Sequence, residues 1–276
     1  MTRKKTLILA VIAILLLGLP GWGGAAAPAT ETKGTPETPP VPDPQKILRE
    51  MADFLKSQGQ FSFRAVITDD QVYPGGNKLQ YGLDLEVCAR RPDKLRINGR
   101  GDLENQEFFY DGLTLTIYNK DKNLYAIAPM PPTIDAAMTK AYQDFDLEVA
   151  LADLACSNVY ELLTKNVRLS LYVGLHQVHG VPCHHLAFDE DNRHWQIWIE
   201  AGDKPLPRKL LVTQKRLLSS PQWTALLSDW NLSPQLPDSL FAFVPPAGSH
   251  QIKFLPPSEA PAPKTKPRSK KKGEKS

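Results

Sequence analysis

Cysteine is scarce in this chain of 276 residues. There are three, Cys88, Cys156 and Cys183, and an odd number cannot all be bridged within one molecule. One bridge can form in three ways, or all three thiols can stay reduced, and their spacing does not choose. Long apolar runs are missing too. The longest, residues 6–17, spans roughly a dozen residues, against about 20 for a helix that crosses a membrane. Also absent are a Gly-x-Ser-x-Gly elbow, a phosphate-cradling glycine loop and the Cys/His spacing of a zinc motif. No segment repeats. These absences leave no catalytic residue to name and no metal or other cofactor to expect.

The charge is unevenly placed. Arg3, Lys4 and Lys5 precede the apolar run, and small residues and helix breakers follow it, which is the pattern of a secretory signal peptide over residues 1–26. No cysteine stands after that run, so a lipid-modified N-terminus is not expected. Residues 264–276 carry seven Lys/Arg against Glu274 alone, a local +6. Taking this and the three basic groups of residues 1–26 from the formal +3 leaves the body near −6, which argues against nucleic acid as a partner. Residues 27–42, rich in proline, read as a disordered linker, and residues 256–276 as a disordered basic tail that can touch an anionic envelope surface.

Between them, residues 43–255 form one expected domain. Asp43 caps a helix that Pro44 opens, and Ile47, Leu48, Met51, Phe54 and Leu55 give it one apolar stripe. Then the period changes to two. Leu79, Tyr81, Leu83, Leu85 and Val87 alternate with polar or small residues, as do Leu113, Leu115 and Ile117, and later Val167, Leu169, Leu171, Val173 and Leu175. Strands are expected at 61–68, 78–88, 94–98, 106–110, 113–119 and 124–128, then at 167–176, 181–188, 194–200, 208–215 and 223–230. Asp111-Gly112 marks a hairpin turn. A helical insert at 133–165 separates the two runs, with Thr133 capping Ile134, Met138, Ala141 and Phe145, and with Asn158 and Glu161 spaced for a capping box. A last strand is expected at 241–244.

If His179-Gly180 is a two-residue loop, Leu171 faces Phe188, Val173 faces Leu186 and Leu175 faces His184, so that apolar meets apolar on one face. The same register sets His176 opposite Cys183, with His185 nearby on that face. Three N/S groups can hold zinc or copper, but nothing fixes a fourth ligand, and histidines near a turn more often meet solvent. Cys183 and His184 point to opposite faces, and Asp84 and Glu86 lie on a wet face, so neither pair forms a catalytic constellation. Trp195 and Trp198 lie on opposite faces and read as core and rim.

The stretches Arg90-Arg91-Pro92-Asp93-Lys94-Leu95-Arg96, Phe109-Tyr110-Asp111-Gly112-Leu113-Thr114-Leu115, Gly180-Val181-Pro182-Cys183-His184-His185-Leu186-Ala187-Phe188 and Leu206-Pro207-Arg208-Lys209-Leu210 resemble a bacterial family of periplasmic proteins known only as a domain of unknown function. The element order is similar to that of the LolA/LolB lipoprotein-carrier superfamily. That resemblance implies an α+β fold, a curved antiparallel sheet forming an incomplete β-barrel, with helices over its concave apolar face. It also implies a periplasmic location, and it carries no catalytic or binding residues. The expected function is non-enzymatic binding of a hydrophobic ligand, such as the acyl chains of a lipid or lipoprotein. Candidate lining residues are Leu83, Leu85, Leu115, Ile117, Leu169, Leu171 and Val173 from the sheet, and Ile134, Met138 and Phe145 from the lid. The alternative is an interaction or sensor module with a closed core, binding an envelope component through its surface and tail.

Overall fold

Alternation builds the sheet, and the helices follow from the face it leaves dry. The structure, a computed structural model, describes residues 41–255. The expected signal peptide, the linker up to Pro40 and the basic tail lie outside the described residues. Helix α1 (Pro44–Ser57) opens the chain, with the Asp43 carboxylate accepting the Gln45 N–H at 2.9 Å. Six strands follow: β1 (Gln60–Val72), β2 (Lys78–Arg90), β3 (Lys94–Gly101), β4 (Asn105–Tyr110), β5 (Thr114–Asn119) and β6 (Leu124–Pro129). Helix α2 (Ile134–Phe145), a 3-10 turn at Ala152–Ala155 and helix α3 (Val159–Thr164) form the insert. Then come β7 (Leu169–Val178), β8 (Val181–Asp189), β9 (Arg193–Glu200), β10 (Pro207–Gln214), β11 (Gln222–Asn231) and the short β12 (His250–Ile252).

All twelve join one curved open sheet in the order β12-β6-β5-β4-β3-β2-β1-β11-β10-β9-β8-β7, antiparallel except where β12 runs parallel to β6. Its register lines up the apolar positions. Phe63 pairs with Val87, Val87 with Ile97, Ile97 with Phe108 and Phe108 with Ile117, and in the other half Ile67 continues through Ala225, Leu210 and Ile197 to Leu186. Helix α1 lays Ile47, Leu48, Met51, Ala52 and Leu55 on this face. Each large side chain sealed this way contributes about 1.5–3 kcal/mol.

Two adjacent arginines hold the layers together. Arg91 donates to the carbonyls of Leu55 (2.9 Å) and Gln58 (2.7 Å) at the end of α1, and to those of Leu154 (3.3 Å) and Cys156 (3.1 Å) in the insert. Arg90, pointing the other way, donates to the Leu236 carbonyl at 2.7 Å, pairs with Asp238 and sits over the Phe241 ring. The turns obey the sequence. Gly112 takes φ +90°, and a Cβ there would lie 2.7 Å from the Asp93 carboxylate.

Three local expectations are corrected. No strand forms at 241–244. Instead the chain crosses the outer face, where Phe243 packs on Phe109, Tyr118 and Tyr125, and pairing begins only at β12. Two prolines follow at once and cannot donate to a ladder. Asn158 makes no side-chain capping bond, because Asp135 takes the neighbouring Ser157 N–H (2.6 Å) and hydroxyl (2.7 Å). Third, β7 and β8 keep the expected register only from Val178–Val181 to Gly174–His185. A bulge at Val173 then shifts it, so Tyr172 faces Leu186 and Leu171 faces Ala187.

All three cysteines are free. Cys156 lies in the insert, while Cys88 and Cys183 sit in separate strands, β2 and β8. Burial pushes the Cys183 thiol up to about 11 and raises those of Cys156 and Cys88.

Replacing Arg91 with Ala takes a donor from four carbonyls, of which that of Leu55 keeps the Gln58 N–H, so stability measured by urea unfolding should fall by about 2–4 kcal/mol, with Arg91→Lys losing less. Ellman titration of the unreduced, unfolded chain should return three thiols. In the folded protein Cys156 and Cys183 should resist alkylation at about pH 8, because only the thiolate reacts.

Candidate functional site

The ten candidate lining residues fall into three groups. Leu85, Leu115 and Ile134 are sealed in the core at 6%, 0% and 2% exposure. Leu83, Ile117, Met138 and Phe145 are half-buried and form part of the fringe of that same core. Leu169, Leu171 and Val173 are on the surface, at 66%, 58% and 41% exposure, and are not under the helices as expected. The bulge is the cause. An extra residue on β7 flips the set N-terminal to it, so Ser170, not Leu171, stands opposite Phe188. β7 is also an outermost strand of the sheet, paired with a neighbour on one side only.

The fringe has members that sequence reasoning missed. Val212 and Trp223 pair with each other one row beyond Leu210 and Ala225 on the covered face, and both are half-buried. Their alternation was visible, but not that the helices stop short of them. Phe254 stacks on Phe145 with ring centroids 4.7 Å apart, so the segment after β12 latches the end of α2. Gly99 and Gly101 lie within β3 rather than in a turn, facing β2. A Cβ on Gly99 would be 3.2 Å from Leu85 Cδ2, and one on Gly101 3.1 Å from Leu83 Cδ1. The two leucines thus lie across a strip of β3 that has no side chains, and Gly-x-Gly inside a strand was the available signal.

The two covering helices are unequally held. α1 buries five apolar residues, whereas α2 buries Ile134, Ala137 and Ala141. The start of α2 is fixed: the Thr133 hydroxyl accepts the Ala136 N–H at 3.2 Å, the Ile134 N–H donates to the Pro92 carbonyl at 2.8 Å, and the Tyr110 hydroxyl donates to the Pro131 carbonyl. Grooves of about 570, 530 and 480 Å³ open at the outer side of α2, beside Glu200, Arg208 and Trp230, and among Arg64, Asp84, Glu86 and Arg100. None of these three is lined by Leu83, Ile117, Met138 or Phe145. Of the ten candidates, Leu85 alone borders one of these grooves, the third.

The polar candidates do not assemble a catalyst. Cys183 donates to the Val181 carbonyl at 3.3 Å, while the His184 ring meets the Tyr172 hydroxyl at 3.2 Å on the other face. Among the described residues no three or more His, Cys, Asp or Glu converge on a metal-sized point. Trp195 is core, stacked on Phe188 at 4.1 Å and donating to Glu190 at 2.9 Å, and Trp198 lies on the outer face. No helix among the described residues is long and apolar enough to cross a membrane.

Comparison with known proteins gives a family and related folds. A family model described as "Predicted periplasmic protein (DUF2092)" matches residues 44–255. No protein with a curated description matches. Similar solved structures include an uncharacterized conserved protein from Thermus thermophilus, 11% identical over 76% of this chain and 98% of that one, with a TM-score of 0.44. The lipoprotein LppX of Mycobacterium tuberculosis is 11% identical over 70% of this chain and 98% of its own, with a TM-score of 0.42. A LolA superfamily protein from Nitrosomonas europaea is 14% identical over 72% and 97%, with a TM-score of 0.36. With the match running from the first turn of α1 to the end of the described residues, this chain belongs to the DUF2092 family of periplasmic proteins.

Proposed function

We propose that this is a non-enzymatic periplasmic protein that takes the acyl part of a lipid or lipoprotein between α2 and the apolar face of its sheet. The observation that carries the reading is the unequal footing of the two helices over one apolar face. Lifting α2 unseals Ile134 and two alanines and frees the half-buried Met138 and Phe145, a cost of about 4–6 kcal/mol. Burying roughly 300 Å² of acyl surface returns about 7–8 kcal/mol before ordering costs. The gain exceeds the cost, so a closed resting form and an acyl-bound form are both affordable. Leu83, Ile117, Met138 and Phe145, already half-buried, are the side chains a guest meets first. Met138 adapts to guests of different shape.

A second reading rests on one observation, the bare edge of β7. That strand carries no charged residue and exposes Leu169, Leu171, Val173 and Leu175, the kind of edge to which a partner protein adds a strand.

The purified protein should bind a fluorescent fatty acid at one per chain, displaced by unlabelled phospholipid. Met138→Trp, which adds bulk where a guest would enter under α2, should weaken binding about tenfold (about 1.4 kcal/mol). Native mass spectrometry of protein taken from its own envelope separates the readings. Retained lipid supports the first. A lipid-free chain that also ignores the fatty-acid probe sinks it, and a lipid-free chain holding a protein partner favours the second.

A further inference from the structure

On the outer face of the β7–β8 hairpin, two imidazoles meet nitrogen to nitrogen. His176 Nδ1 and His185 Nδ1 are 3.0 Å apart. His185 is 8% exposed, and its Nε2 lies 2.9 Å from Gln196 Oε1, an oxygen that can only accept. Nε2 therefore carries the His185 proton, and the Nδ1 lone pair points at His176. The 3.0 Å contact is made either by a proton that His176 Nδ1 donates to His185 Nδ1, or by a cation to one side of the N···N line on which both lone pairs converge.

The surroundings hold the His185 ring in place. The bulge at Val173 and Gly174, with φ +148°, re-aims the strand just before His176. A Cβ on residue 174 would come only into ordinary contact with His176 Nε2, at 3.4 Å, so the backbone angle and not crowding calls for glycine. The His185 ring is fixed from the side by stacking on Trp198, centroids 4.0 Å apart and planes 14° off parallel. A ligating histidine usually donates its second N–H to a carbonyl or carboxylate, which is the part Gln196 fills.

We propose that His176 and His185 chelate one divalent late first-row transition ion through their Nδ1 atoms, with water completing its shell at the exposed His176 side. A cation at about 2.0–2.1 Å from each nitrogen would see the pair at about 95°, the cis angle of a square or octahedral Ni2+ or Cu2+ centre. Cys183 stays outside the site, its thiol bonded to the Val181 carbonyl. The nearest fixed cation, Lys209, is held over the Trp198 ring at 4.5 Å.

The test uses Ni2+ alone on the tag-free protein, read by calorimetry and tryptophan emission. The expected result is one ion per chain and partial quenching, because Trp198 touches His185, with Zn2+ displacing Ni2+ and restoring the emission. His176→Ala, at an exposed position, should keep its melting temperature and lose at least tenfold in affinity. Trp198→Phe should keep the ion and lose the quenching, and His179→Ala in the turn should change neither. A pair that binds no Ni2+ or Zn2+, sharing only a proton, overturns the proposal. So does affinity unchanged in His176→Ala.

Discussion

The fold depends on a pair of neighbouring arginines at the end of β2. Alternation sends consecutive side chains to opposite faces, so Arg90 and Arg91 reach both layers from one point of the chain. Arg91 gathers carbonyls at the end of α1 and in the insert, sharing that of Leu55 with the Gln58 N–H. Arg90 does the same for the C-terminal segment through Leu236 and Asp238. Only a guanidinium has enough donors in a plane for this task. A sheet of twelve strands has a large face to cover and few helices to cover it, and these bonds bring distant parts of the chain onto it.

Covering is uneven by construction. α1 is an amphipathic helix of 14 residues with a full apolar stripe. α2 meets the core mostly through alanines, fixed at its start by Thr133 and Pro92 and at its end by the Phe145–Phe254 stack. A helix fixed at its ends and lightly held along its length can yield where a helix like α1 cannot. The half-buried fringe, where Leu83 rests on the glycines of β3, is next to the part of the sheet that the helices leave unsealed.

Much of this was legible beforehand, because period-two alternation reports a local backbone property. The eleven expected strands before the last all exist, the Asp43 and Thr133 caps bond as their chemistry predicts, and Trp195 and Trp198 take opposite faces. What failed was non-local. One inserted residue at Val173 leaves the pattern of alternating leucines unchanged yet moves Leu169 and Leu171 to the outside. Phe241 and Phe243 read as alternating strand residues, but each satisfies its own apolar seat, under Arg90 and on the outer aromatic cluster. The latch formed by Phe254 had no local signal, since it depends on where β12 brings the chain.

The Val173 bulge therefore has consequences on both faces. It forgoes burial of large apolar side chains on an edge strand, and monomeric proteins seldom leave such contiguous surface bare without a use. It also turns Tyr172 to the other face, opposite Leu186, where its hydroxyl meets His184. The exposed edge of β7 and the yielding helix α2 are at different places in the sheet: α2 follows β6 near one end of the strand order, and β7 closes the other. A partner strand on β7 would extend the sheet without touching the Phe145–Phe254 latch, and a guest beneath α2 would leave the β7–β8 hairpin as it is. The bare edge of β7 and the face beneath α2 are thus separate surfaces.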